Sequence, residues 1–562
     1  MGHGETDAGA GDGIKASDLL VRCLETEAVP LILGVPGEEN ADVMLSLEGS
    51  SVRFINTRHE QGAAFAASVY GRLTGSPVGC LGTLGPGATN MVSGVADANM
   101  DHAPLLVLTG LGSTDRLAKE SHQIMDVVAM YEPVTKWATS IRTAEAIPEI
   151  VRKSVRLARG EKPGAVLLEL PEDVAKRRVD ARPMHPKRYR RPVPDREATE
   201  LAAELLSSAS KPMILAGNGT IRTRAAAALR RFSGELGVAV TSTFMGKGAV
   251  DMDDPLSLFT VGIQQRDEIG TALANADVVI TVGYDLVEYP PTVWVGRDSR
   301  LIHVDFLPAE IDAAYHPDAE LVGDIASGLD GLLAAARERG MGRFDVDAHA
   351  RVRTAMLDEL AAHAADDEAE GPIRPQKLLW DTRAALGPKD ILLSGVGAHK
   401  MWIGRHYQCH EPNTCLIPNG FCSMGQPLPG LIGAKLAKPE CRCVAVCGDG
   451  DFLMNVQEME TIARLGLDVT AIVWEDHAYG LIAWKQQAEF GRHTDLSFTN
   501  PDWCGLAQAF GWRGECVTGA RAFAPALKRA LEHDGPSLLV APVDYRENMK
   551  LTERLGQQTC RI

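Results

Sequence analysis

Val444-Ala445-Val446-Cys447-Gly448-Asp449-Gly450 ends an apolar run on an acid set between two glycines, and a second acid, Asp476, follows 27 positions after Asp449. Both acids fall where a strand should end, and both are hard oxygen donors. Magnesium prefers one or two carboxylates together with phosphate oxygens. Glycines on either side of Asp449 let the backbone come close to a diphosphate at the start of the helix that follows. That helix is expected over 452–465, with Met454, Met459, Ile462 and Leu465 at roughly helical spacing and Gly466 as its C-terminal cap. The next run, 469–474, reads as the second parallel strand of a βαβ unit. Aspartate between glycines is common in plain turns. The second acid and the stretch Asn455-Val456-Gln457-Glu458 favour a magnesium-diphosphate clamp instead.

Outward from this stretch, strand patterns alternate with helical ones along the whole chain, which indicates doubly wound parallel sheets. Three α/β blocks are expected, over 14–180, 197–340 and 371–552. The first carries strand-like runs at 31–35, 53–57, 78–81, 105–109 and 165–170. The second carries them at 213–216, 238–241, 278–282 and 301–305. The third carries them at 391–394, 415–418, 444–447, 469–474 and 537–541. An Arg- and Pro-rich stretch, 176–196, reads as a solvated linker, and a charge-mixed helical one, 351–369, leads into the third block.

At 562 residues the chain exceeds one hydrophobic core. Its 45% hydrophobic and 23% charged fractions are those of an ordinary globular protein. A net charge of −17 argues against nucleic-acid and anionic-membrane partners, while a local pocket can still oppose the global sign. No apolar run reaches the length of a membrane span and the first residues are not a signal peptide, so a cytoplasmic setting is expected. Met1-Gly2-His3-Gly4-Glu5-Thr6 fits the loose myristoylation pattern, which short sequences match by chance. The 11 cysteines include no CxxC pair. Cys441, Cys443 and Cys447 share one face of a strand and are expected to pack as small apolar groups.

The Gly448-Asp449-Gly450 … Asp476 spacing resembles the thiamine-diphosphate (ThDP) signature, with Glu475-Asp476 where two asparagines are usual. By that resemblance Asp449, Asp476 and the Ala478 carbonyl hold Mg²⁺. Gly448, Gly450, Asp451, Tyr479, Gly480 and Leu481 then line the diphosphate. Thr57-Arg58-His59-Glu60-Gln61-Gly62 follows a strand and opens an alanine-rich helix. Such a glutamate is ordinarily no more than favourable with the helix dipole. ThDP chemistry, however, needs a carboxylate against the pyrimidine ring to promote loss of the thiazolium C2 proton, and Glu60 suits that role. In Gly420-Phe421-Cys422-Ser423-Met424-Gly425, Met424 has the size and polarizability of the wedge that keeps the cofactor bent.

A wider set of segments completes the pattern. It comprises Gly34-Val35-Pro36-Gly37, Gly85-Pro86-Gly87-Ala88-Thr89-Asn90, His122-Gln123, Thr135-Lys136, Leu170-Pro171-Glu172-Asp173, Gly397-Ala398-His399-Lys400-Met401-Trp402 and Val543-Asp544-Tyr545-Arg546. With them nearly the whole chain resembles ThDP-dependent acetolactate synthases. The resemblance implies a pyrimidine-binding, a central Rossmann-like and a diphosphate-binding domain. It also implies active sites between two subunits of a homodimer or homotetramer, Glu60 of one chain serving the cofactor held by Asp449 of another. Pro36, Gly37 and Asn90 join the cofactor contacts, and Gln123, Lys136 and His399 are candidates for polar contact with substrate.

The implied reaction is decarboxylation of pyruvate and carboligation to a second pyruvate, giving 2-acetolactate; a decarboxylase or carboligase for another 2-oxo acid is the alternative. Gly283-Tyr284-Asp285-Leu286-Val287-Glu288 stands where the biosynthetic branch has its flavin segment, so the catabolic, FAD-independent branch is expected. Gln61-Gly62 is closer to the flavin-binding branch, and Trp484-Lys485 is shifted from the biosynthetic acceptor-site tryptophan.

Overall fold

The computed structural model describes residues 13–187, 189–262 and 268–548. Positions 549–552 of the third expected block therefore lie outside the described residues, as does the N-terminal myristoylation pattern. The chain divides into two compact units, 1–188 and 189–562.

The first unit is built on a six-stranded sheet, in the spatial order Arg53–Asn56, Leu31–Gly34, Val78–Gly82, Leu105–Leu111, Ala165–Pro171 and Trp137–Ser140. Every pairing in it is parallel. Its inner strands are buried end to end, as the near-continuous Val/Leu runs require of a sheet covered on both faces. The helices Glu60–Thr74 and Pro86–Met100 pack closely because small residues meet. A Cβ on Gly94 would stand 2.6 Å from that of Ala64.

The second unit carries two more six-stranded parallel sheets. The central one runs Ser257–Thr260, Ala239–Ser242, Pro212–Ala216, Val278–Val282, Arg300–Asp305 and Ala319–Val322. The other runs Cys415–Leu416, Ile391–Ser394, Cys443–Gly448, Thr470–Glu475, Ser537–Pro542 and Arg513–Cys516.

In each sheet the chain moves outward from its first central strand and then returns to that strand's other side. The three reversals lie between Leu31–Gly34 and Val78–Gly82, between Pro212–Ala216 and Val278–Val282, and between Ile391–Ser394 and Cys443–Gly448. Adjacent loops leave in opposite directions there, which opens a crevice beyond the carboxyl ends of the strands.

Two features differ from expectation. The expected helix over 452–465 is two short ones, Asp449–Leu453 and Glu458–Arg464. Between them Asn455 Nδ2 donates to the Gly425 carbonyl at 2.9 Å, and Gln457 Nε2 donates to Asn455 Oδ1 at 3.0 Å. Side-chain bonding of this kind competes with the helical ladder. Besides the antiparallel ribbon of Ile14–Lys15 with Arg178–Val179, four strands were not anticipated: Trp137–Ser140, Ser257–Thr260, Ala319–Val322 and Arg513–Cys516. All four lie at sheet edges.

Candidate functional site

In the third sheet the crevice at the reversal is a pocket lined by residues 396–399, Met424, 448–451, Asp476, 478–482 and Tyr545. Asp449 follows the strand Cys443–Gly448 and is 1% exposed. Its Oδ1 accepts the Gly450 amide at 2.9 Å. Its Oδ2 accepts the amides of Asp476 at 3.2 Å and His477 at 2.7 Å, and Asn500 Nδ2 at 2.9 Å. Asp476 follows the neighbouring strand, and its carboxyl lies within hydrogen-bonding reach of Asp449. Burial, then the charge of Asp449, pushes the Asp476 carboxyl up to about 8. A buried and a half-buried carboxyl in contact are relieved by a shared proton or by a cation between them. A divalent cation held by hard oxygens fits this donor set.

Glycines make the room. A Cβ on Gly480 would stand 2.2 Å from Asp476 Oδ2, and one on Gly450 would meet the rings of Tyr479 and Phe498 at 3.0 and 3.1 Å. Gly480 opens the helix Gly480–Phe490, whose first amides suit an anion. Ala478 pairs with Ser497 in an isolated bridge, which fixes the backbone beside Asp476. Across the pocket Asp451 Oδ1 accepts the Gly425 amide at 2.6 Å and so holds the loop carrying Met424. Asp451 Oδ2 and His399 Nε2 lie 3.7 Å apart, both enclosed, and neither has a hydrogen-bond partner among the described residues.

The reversal in the first unit gathers a second cluster. Gly37, in the loop after Leu31–Gly34, donates to Asn40 Oδ1 at 3.0 Å. A Cβ there would stand 2.4 Å from Thr83 Oγ1, so Pro36 and Gly37 lie against the loop after Val78–Gly82. Glu60 begins its helix at 7% exposure, and its Oε2 accepts Asn90 Nδ2 at 2.9 Å. Gly87 leaves its other oxygen clear, since a Cβ there would be 3.2 Å from Glu60 Oε1. Gln123 has a left-handed backbone (φ 58°), and its carbonyl would be 2.7 Å from a Cβ on Gly85, so it reaches the loop that leads to Gly87.

Lys136 is not brought to this cluster. Its ammonium donates to the carbonyls of Leu157, Gly160 and Lys162 at 2.6, 2.7 and 2.6 Å. It precedes Trp137–Ser140, whereas Glu60 follows Arg53–Asn56, which puts the two at opposite edges of a parallel sheet. The expected substrate contact is thus corrected: Lys136 ties off the end of the helix Ile147–Arg159, where a cation meets free carbonyls favourably.

The comparisons with known proteins fall on the same stretches. Residues 14–130, 199–332 and 395–541 match the N-terminal TPP-binding, central and C-terminal TPP-binding domains of thiamine pyrophosphate enzymes. The catabolic acetolactate synthase of Raoultella terrigena is 34% identical over 96% of this chain and 97% of its own length. The chain belongs to the acetolactate synthases. The acetolactate synthase of Bacillus subtilis (strain 168) is 32% identical, covering 96% of this chain and 94% of its own length. Isozyme 2 large subunit of Escherichia coli (strain K12) is 31% identical, covering 94% and 96%. As a member of this family the protein is a ThDP-dependent enzyme.

Within this acetolactate synthase chain, two residues behind the Asp449 cluster, Asn500 and Trp503, had not been anticipated, and both bond Glu475. Asn500 Nδ2 bridges Asp449 Oδ2 and Glu475 Oε1, each at 2.9 Å, and Trp503 Nε1 donates to the same Glu475 oxygen at 2.7 Å. At the third crevice, in the central sheet, Glu288 bonds the start of the short helix Asn218–Arg222. Glu288 is buried, accepts the Asn218 amide at 3.0 Å on both oxygens, and also bonds Thr243 Oγ1 and the Asp285 amide. Burial, then the charge of Asp285, pushes its carboxyl up to about 8. No helix among the described residues is long and apolar enough to cross a membrane.

Proposed function

We propose that this acetolactate synthase family member decarboxylates pyruvate and joins the remaining two-carbon unit to a second pyruvate, using ThDP and Mg²⁺. Two pyruvate anions and one proton become one 2-acetolactate anion and CO₂. The observation that carries the reading is the contact of Asp449 and Asp476 at the mouth of two parallel strands, inside a pocket edged by glycines and a helix start.

Asp449, Asp476 and the Ala478 carbonyl would hold Mg²⁺; Gly448, Gly450, Tyr479, Gly480 and Leu481 would line the diphosphate. When bound, ThDP supplies a thiazolium that stabilises the carbanion left by loss of CO₂. Glu60 holds and returns a proton at Oε1, the oxygen that Asn90 leaves free. Asp451 positions Met424 through the Gly425 amide, and His399, in the pocket lining, is the candidate polar contact for substrate. Within the first unit's own cluster, Gln123 would be a polar contact for substrate and Pro36 and Gly37 would shape a cofactor contact.

Catalysis without FAD is part of the proposal. Glu288 occupies the helix start in the central crevice where a dinucleotide phosphate would otherwise sit, and Asp285 is paired with Arg222 at 3.0 Å. A homodimer or homotetramer is proposed as well. The helix Gly480–Phe490 has no buried residue in the single chain; Tyr479 and Ile482 are exposed in the pocket lining and Phe490 at the helix's far end. A cytoplasmic setting is supported by ten described cysteines without a disulfide.

Product analysis after incubation with pyruvate, ThDP and Mg²⁺ tests the reading. Acetolactate is expected. Free acetaldehyde, or turnover confined to another 2-oxo acid, would favour the alternative decarboxylase or carboligase.

A further inference from the structure

Of the ten described cysteines, seven are buried and one is half-buried; the two exposed ones, Cys504 and Cys516, face each other with their sulfurs 3.3 Å apart. Cys504 lies in the helix Trp503–Ala509, and Cys516 ends the edge strand Arg513–Cys516. Gly514 allows the approach, since a Cβ there would stand 3.2 Å from the Cys504 Cα and 2.8 Å from the Ala507 Cβ. A disulfide bond is about 2.05 Å long, so bonding needs the sulfurs to close by only ~1.3 Å. The pair adjoins the support of the proposed metal site. Trp503 reaches Glu475, which Asn500 links to Asp449, and its ring packs on Phe452 at 5.9 Å.

We propose that Cys504 and Cys516 are a modification site that forms a reversible intramolecular disulfide by exchange with small-molecule disulfides such as glutathione disulfide. The thiolate of Cys504 attacks one sulfur of the small disulfide, forming a mixed disulfide and expelling one thiolate. Cys516 then gives its proton to solvent and attacks the Cys504 sulfur, expelling the second. Two protein thiols are oxidised and one small disulfide is reduced to two thiols. Desolvation, then the neighbouring Cys504, pushes the Cys516 thiol up to about 12, which disfavours Cys516 as the attacking thiolate. The cross-link anchors the start of the Trp503 helix to the outermost strand of its sheet.

The test equilibrates the native full-length protein in glutathione redox buffers and follows it by intact mass and peptide mapping. Expected are the loss of two hydrogens, one cross-linked peptide pair containing both cysteines, and full reversal by dithiothreitol. Cys516→Ser should stop at a single glutathionyl adduct on Cys504, and Cys504→Ser should show no cross-link. The inference is overturned if the native protein stays reduced in oxidising buffer, or accumulates only mixed glutathione adducts at these positions. Because the readout is thiol chemistry alone, its failure would leave the proposed reaction untouched.

Discussion

Glu60 bonds Asn90 through Oε2 and turns Oε1 toward Gly87, and that division is the reason to expect a catalytic role from a residue that could be a plain helix start. Glu60→Gln preserves size and still accepts from Asn90, so ThDP affinity is expected to stay within a few-fold. Turnover should fall by about 10²–10⁴, the usual contribution of a positioned proton carrier; steady-state kinetics beside cofactor titration separates the two. For Lys136 the expectation runs the other way. Lys136→Met should leave turnover nearly unchanged and lower unfolding stability by about 1–3 kcal/mol, because three carbonyls lose their donor. Urea denaturation checks this, and a large loss of turnover in a folded variant would restore Lys136 to the site. Asp449 and Asp476 were legible because each follows its own apolar run at βαβ spacing. Asn500 was not, since it meets Asp449 across 51 positions with no local pattern to mark it. Lys136 misled because a residue's place in a motif does not reveal which sheet edge its side chain faces.

At the scale of elements, buried central strands announce themselves as apolar runs, and all of these were visible in the chain. Edge strands such as Trp137–Ser140 and Arg513–Cys516 are half-covered and mixed in composition, so pairing rather than pattern creates them. The helix Ala398–His406 carries a pH consequence. Its last residue, His406, is enclosed against Trp402, and burial lowers its pKa to about 3, outweighing the nearby Glu359. The imidazole is therefore neutral when folded and titrates near its ordinary value of 6.5 when unfolded. Its stabilising contribution is complete above 6.5 and is lost as pH falls toward 3, at up to about 1.4 kcal/mol per pH unit. Unfolding free energies measured between pH 7 and 4 should show a shallower acid slope in His406→Asn than in the unaltered protein. Equal slopes would remove His406 from the acid response.

Across the whole molecule one topology is used three times, and each sheet has a crevice at its chain reversal. The crevice near Asp449 is a pocket edged by glycines, the one near Glu60 presents a carboxyl bonded to Asn90, and at the central one Glu288 bonds a helix start. The α/β class and three-sheet plan could be read from strand–helix alternation, whereas the bonding of Glu288 to the Asn218 amide depends on a side chain folding back across 70 positions. A net charge of −17 does not exclude an anionic cofactor, because the proposed cation offsets the local carboxylates. The central claim is that Asp449 and Asp476 together hold the cation that anchors the diphosphate. Calorimetric titration of ThDP, with Mg²⁺ and with chelator, tests it in the unaltered protein and in Asp449→Ala. The account predicts at least tenfold weaker binding in chelator and, in the variant, weak binding that Mg²⁺ no longer improves. Equal ThDP affinity in the two proteins, with the same response to Mg²⁺, would contradict it.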